Sequence, residues 1–220
     1  MGEQPDSAAE VGGHGRGEDR GEVRAEDRGQ GRGPARGPRK ERAILDATLD
    51  LLAEQGYDGL TVEGVAARSG VNKTTLYRYW PSKGALLSAA LIGSDRLDLA
   101  VPDTGSLRGD LDALVRQVVA LLTEPPAADI AVAALGAATR GPELAGAVAG
   151  FFADRLAREQ AVFDRAVARG ELAADTDPAL VMDLLAGAVW LRAVLRRRPL
   201  EPEFAARTVA AVLDGLTPAR

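Results

Sequence analysis

Between residues 61 and 83 the chain reads Thr-Val-Glu-Gly-Val-Ala-Ala-Arg-Ser-Gly-Val-Asn-Lys-Thr-Thr-Leu-Tyr-Arg-Tyr-Trp-Pro-Ser-Lys. No other stretch restricts the fold as much. Thr61 and Asn72 are residue types that cap helix N-termini, and Gly70 between them accepts a left-handed backbone that a Cβ resists. The spacing therefore predicts two short helices around a glycine turn. Ala66 has to be small where the second helix crosses the first, and Val65, Val71, Leu76 and Tyr79 supply a small shared core. Such a unit is a helix-turn-helix, whose second helix fits the major groove of DNA. Residues 64–94 hold four bases (Arg68, Lys73, Arg78, Lys83) and no acid, although the whole chain carries a net charge of -5. The local field suits phosphate.

A helix in the major groove reads bases with its first turn, while flanking groups hold phosphates. Lys73, Thr74 and Thr75 occupy that turn; a lysine reaches guanine O6 and N7, and a threonine methyl meets a thymine methyl. Tyr77 and Tyr79 are ambiguous, since one face of the helix must also pack.

Residues 42–91, with Ala-Ile-Leu-Asp-Ala-Thr-Leu-Asp-Leu-Leu-Ala-Glu-Gln-Gly-Tyr-Asp-Gly-Leu-Thr-Val and Thr-Leu-Tyr-Arg-Tyr-Trp-Pro-Ser-Lys-Gly-Ala-Leu, resemble the N-terminal domain of the tetracycline-repressor (TetR) family. The resemblance implies that Tyr77 bonds a phosphate through its hydroxyl and that Thr61 and Lys83 meet the DNA backbone, with Arg39 and Lys40 doing likewise. Tyr79 stands where many members have histidine, which leaves packing and DNA contact equally open for it. Thr61 would also serve as a cap with no DNA present, and a surface lysine ordinarily solvates. The segment Pro-Asp-Thr-Gly-Ser-Leu-Arg-Gly-Asp-Leu at 102–111 resembles a C-terminal domain common among actinobacterial-type members.

Composition narrows the chemistry. The chain has 220 residues, 46% of them hydrophobic, enough for one large domain or two small ones. It has no cysteine, and its one histidine, His14, falls in a segment expected to stay unfolded, so a Ser-His-Asp triad, a Cys-His pair and a histidine-rich metal site are not expected. No catalytic residue, metal or cofactor is expected. Charged residues interrupt every candidate for an eighteen-residue apolar run, and the start lacks the apolar stretch of a signal peptide. The expectation is a cytoplasmic protein without a membrane partner.

Residues 1–38 are rich in glycine and poor in large apolar residues, the composition of a disordered arm. Arg16, Arg20, Arg24, Arg28, Arg32 and Arg36 recur every fourth residue; the arm either tracks DNA or is a low-complexity extension. Residues 39–100 should hold the helix-turn-helix domain, with a first helix from Lys40 to the stop at Gly56 and a connecting helix capped by Ser82 and running towards Leu99. Residues 101–220 should form an all-α ligand-binding and dimerisation domain, for about nine helices in total. Its expected helices run from Ser106 to Glu124, 128–140, 142–169, 177–197 and 202–216.

A single reader grips too little DNA for tight binding, so a homodimer on a palindromic double-stranded operator is expected. Leu180, Leu184, Val189, Leu191, Leu195, Val209, Val212, Leu213 and Leu216 either form the interface or cap their own core. By the resemblance, the body also holds a small-molecule effector. Phe151, Phe152, Phe163, Met182 and Trp190 either line its cavity or are core, and the scarcity of charge on the apolar faces between 130 and 194 suggests a hydrophobic occupant. The favoured function is a repressor released by a small apolar ligand. A ligand-independent or activating regulator is the nearest alternative, and a helical binding protein or carboxylate enzyme with a degenerate reader is a remote one.

Overall fold

Local signals set most helix limits in this protein. The computed structural model describes residues 36–214, all helix and connecting loop with no strand among them. The element order is α1 (Arg36–Gly59), α2 (Val62–Ser69), α3 (Lys73–Tyr79), α4 (Lys83–Gly93), a 3-10 turn (Asp95–Leu97), α5 (Leu107–Thr123), α6 (Ala127–Ala138), α7 (Pro142–Ala168), α8 (Pro178–Trp190), a π-turn segment (Leu191–Leu195) and α9 (Phe204–Leu213).

Thr61, Asn72, Ser82, Ser106 and Asp177 each accept a backbone N–H in the first turn of the helix that follows, which satisfies a donor that helix geometry leaves unpaired. Gly170, at φ 71, ends α7, and the next N–H, from Glu171, returns to Ala166 O at 3.0 Å in the manner of a Schellman closure.

Some expected limits move. α1 begins at Arg36 and so takes in the last residues of the expected arm; residues 1–35 lie outside the described residues, as do 215–220 with Leu216. The connecting helix stops at Gly93 rather than near Leu99, because the Ser94 hydroxyl accepts the Arg96 N–H and starts a separate turn. Gly56, at φ 66, breaks α1 where a stop was expected, and a last helical turn follows it across the kink. Pro178–Leu195 runs on as one apolar stretch of 18 residues with mean hydropathy 1.7, of which 17% is buried. Length and composition alone would let it cross a membrane, contrary to the sequence expectation. It carries only Asp183 and Arg192 as charges, and one side of it packs on α5 and α9.

Three buried clusters fill the interior. Ile44, Ala47, Leu51, Leu60, Val62, Val65, Leu76 and Leu86 hold α1 to α3 and the start of α4 together. A second cluster joins Leu45, Leu49 and Leu52 of α1 and Leu87, Ala90 and Leu91 of α4 to Ile130 and Ala134 of α6 and to Leu144 and Phe151 of α7. A third lies among α5, α7, α8 and α9 around Leu111, Leu114, Val162, Phe163, Leu185 and Val209. Residues either side of position 100 thus share one core.

The 102–111 segment has a structural logic of its own. Asp110 is fully buried at 0% exposure, and one carboxylate oxygen accepts from Thr104 N at 2.6 Å and Thr104 Oγ1 at 2.8 Å. Its other oxygen lies 3.7 Å from Arg169 of α7. The loop is stitched to the first turn of α5 by a desolvated carboxylate whose removal strands its donors. Asp110→Ala is expected to cost about 2–3 kcal/mol, a fall of roughly 5–10 °C in Tm for a chain of this size. Urea unfolding followed by circular dichroism measures it.

Candidate nucleic-acid interface and interior cavity

The reader is built from its caps upward. Thr61 Oγ1 accepts the Gly64 N–H at 3.0 Å, Gly70 turns the chain at φ 67, and Asn72 Oδ1 accepts the Thr74 N–H at 2.8 Å. Leu76 is the buried residue of α3, so most of that helix faces outward. Lys73 and Thr74 are exposed and Thr75 is half-buried. Tyr77 is 46% and Tyr79 62% exposed, which removes Tyr79 from the shared core expected for it. Trp80 packs there instead, between the first two clusters. The Tyr79 hydroxyl accepts from Arg78 at 3.2 Å, and the Arg78 guanidinium sits 4.8 Å from the ring centroid. Arg39 and Lys40 are exposed near the start of α1, and Lys40 shares a groove with Thr75, Arg78 and Tyr79.

Two of the four bases are engaged within the protein. Arg68 makes a bidentate pair with Glu54 at 2.8 and 2.7 Å, which cancels its charge locally and holds the Glu54 carboxyl below the usual range. Lys83 donates to the Tyr57 carbonyl at 2.8 Å and lies 3.8 Å from the Tyr57 ring centroid. It fastens α4 to the end of α1, with further N–H donors left on the ammonium. Among the described residues, the reader's positive charge without an acidic partner is therefore narrower than the sequence suggests: Lys73 and Arg78 on α3, with Lys40 in the same groove.

Beneath the reader, α4 meets the start of α7. The Ser82 hydroxyl donates to Glu143, and a Cβ on Gly84 would collide with the Glu143 carboxyl group. Arg140 pairs with Asp58 nearby.

Farther down, a cavity of about 510 Å³ opens among α5, α6, α7 and α8. Phe151, Phe152, Met182 and Trp190 line it. Phe163 does not; at 2% exposure it is part of the body's core. The walls also hold Arg155 and Glu159, 5% and 6% exposed, against the expectation of few charges. Arg155 donates to Asp98 at 2.9 Å and to the Leu97 carbonyl at 2.7 Å, in the loop that follows α4. Burial pushes the Glu159 carboxyl up to about 7, with Arg155 opposing. Both residues fall on the buried stripe of α7, in four-residue steps from Phe151, and that periodicity was the signal available in the sequence.

Of the expected interface residues, Leu180, Leu184, Leu191 and Leu195 are 49–69% exposed. Val189 and Val209 are fully buried and so serve their own protomer, while Val212 and Leu213 are half-buried against the same core. Leu191 and Leu195 also border the cavity.

These features define a helix-turn-helix regulator, with a capped reader seated on an all-α body. The family models bear this out. Residues 44–90 match the bacterial regulatory proteins of the tetR family, and residues 101–212 match a tetracyclin repressor-like C-terminal domain. An uncharacterised HTH-type transcriptional regulator of Mycobacterium tuberculosis is 36% identical over 176 residues, 80% of this chain and 84% of its own length. A DNA-binding transcriptional repressor, TetR, of Mycobacteroides abscessus is 36% identical over 179 residues, covering 79% of this chain and 92% of that protein. The crystal structure of a TetR family transcription regulator superposes with a TM-score of 0.69 at 36% identity, over 81% of this chain and 99% of that one. The chain belongs to the TetR family and is a DNA-binding transcriptional regulator.

The raised carboxyl of Glu159 has a consequence for stability. Its folded value, about 7, exceeds its unfolded value near 4.5, so the native state holds the extra proton between them and stability falls as pH rises through that window. Glu159→Gln removes this penalty, which is on the order of 3 kcal/mol at full ionisation. The variant is expected to gain Tm over the parent at pH 8 and little at pH 5, as read by thermal unfolding across that range.

Proposed function

We propose that the protein is a cytoplasmic homodimeric repressor, released from a palindromic operator by a small, mainly apolar molecule bound in the cavity of α5 to α8. Lys73, Thr74 and Thr75 read bases. Arg39, Lys40, Thr61, Tyr77 and the remaining donors of Lys83 hold phosphates, and Tyr79 flanks them from the exposed face of α3. The exposed leucines of α8 and the π-turn segment seat the mate. No step calls for catalysis.

One observation supports the ligand-linked reading most directly. Arg155 is a wall of the cavity and also the clamp on Leu97 O and Asp98. A ligand that displaces Arg155 acts on the loop below α4, and α4 shares its core with α1. Ligand and operator then favour different settings of the same helices, and linkage makes each weaken the other. A coupling of about 1–3 kcal/mol corresponds to roughly 5–150-fold in operator affinity.

The testing experiment is footprinting on the DNA upstream of the gene and on selected random sequences, at two salt concentrations. A protected palindrome with salt-sensitive affinity is expected; protection of a single unrepeated half-site would refute the dimeric reader. Thr75→Ala is expected to relax preference at one base pair per half-site, losing about 1–3 kcal/mol of discrimination. Lys40→Ala should instead weaken all sequences alike and lower the salt slope by about one per protomer. Leu184→Glu places a charge on the exposed apolar face. In sedimentation it should yield monomer and lose tight operator binding, while circular dichroism stays unchanged.

A further inference from the structure

Charge on the cavity walls does not balance. Arg155 is committed to the loop after α4, its two terminal nitrogens donating to Asp98 and the Leu97 carbonyl, while its Nε is buried without a described partner. Arg158, one turn away on the surface of α7, is likewise held by Asp98 and Asp154. Glu159 is 6% exposed and lines the cavity, and no described residue donates a hydrogen bond to it. Asp183 of α8, exposed to solvent, adds a second carboxylate at the rim. Of the rings, Phe151 already faces Arg155 at 4.9 Å. Phe152 and Trp190 meet edge to face, with centroids 6.1 Å apart, and both border the open space.

A buried carboxylate without a partner is costly, and an opposite charge that is itself poorly hydrated relieves that cost. Aromatic walls add attraction for the same sign of charge. We propose that the cavity selects lipophilic organic cations, with Glu159 as counter-ion and Phe152 and Trp190 as flanking rings. This rests on the reading of the cavity as the effector site and names the chemistry of its occupant. An amphiphilic anion of equal size would meet the carboxylates of Glu159 and Asp183 and an arginine whose charge Asp98 already opposes.

Tetraphenylphosphonium and tetraphenylborate make a suitable test, being alike in shape, opposite in charge and free of titratable groups. Their affinities for the full-length protein are measured by calorimetry, beside Glu159→Gln and Gly187→Phe. Gly187 lines the cavity and has open space where a Cβ would stand, so the phenylalanine obstructs the site without crowding the core. Glu159→Gln is expected to lower the preference for phosphonium over borate by about tenfold or more, and Gly187→Phe to abolish phosphonium binding. Phosphonium affinity should rise up to about tenfold from pH 6 to pH 8, as a carboxyl that titrates at about 7 goes from about one-tenth to about nine-tenths ionised. An unchanged ratio in Glu159→Gln, tighter binding at low pH, no phosphonium binding, or binding indifferent to Gly187→Phe would each overturn the proposal. Phosphonium that binds as expected yet leaves operator affinity intact would uphold the charge selection and refute the cavity as effector site.

Discussion

The core beneath α4 is the constraint on which the other parts depend. Leu87, Ala90 and Leu91 of that helix are buried together with Leu45, Leu49 and Leu52 of α1, and with Ile130, Leu144 and Phe151 from the body. A reader joined to its body by a flexible linker could reorient at no cost. Here interior packing at near-crystalline density links the position of α3 to that of α7. The polar contacts at the seam, Ser82 with Glu143 and Arg140 with Asp58, are largely exposed, and such pairs contribute little energy. They fix register, as does the bare Cα of Gly84 against Glu143. Apolar burial holds the two parts together.

Two buried carboxylates show how differently the same group can be used. Asp110 sits at the first turn of α5, takes both donors of Thr104 and has Arg169 close by; it organises a loop, and its charge is balanced locally. Glu159 has comparable burial but faces open space, with only the field of Arg155 to oppose its desolvation. The first carboxylate belongs to the folding of the chain. The second imposes a cost on folding that the described residues relieve only through the field of Arg155, and such undercompensated groups gather at functional sites.

Much of the fold was legible because its limits are local. Caps at Thr61, Asn72, Ser82, Ser106 and Asp177 act within one turn, and the turn at Gly70 depends on its own backbone. What stayed hidden depends on partners distant in sequence. Arg68 is neutralised by Glu54 on another helix, Lys83 is drawn to Tyr57, and Tyr79 is displaced from the core by its neighbour Trp80. On α7 the aromatic residues were visible, yet periodicity cannot separate a wall of a cavity from a wall of a core; Phe151 and Phe163 share one stripe and have different surroundings. The outward position of Leu180 and Leu184 on α8 was readable, since both fall off the buried stripe of Met182, Leu185 and Val189.

The π-turn segment ties the last two features together. Arg196 N–H returns to Leu191 O at 2.8 Å, one residue farther than an α-helix reaches, and the widened turn resets the faces on which Leu191 and Leu195 lie. Both leucines are exposed and both border the cavity. On the homodimer proposed above, the mate's apolar surface would cover them, and water would be excluded from that side of the cavity only in the assembled pair. An isolated protomer would leave Glu159 closer to solvent, where its charge is cheaper and its attraction for a cation weaker. Ligand affinity and dimerisation would then be coupled through two leucines, and the assembly that spaces two readers along DNA would be the same one that completes the effector site.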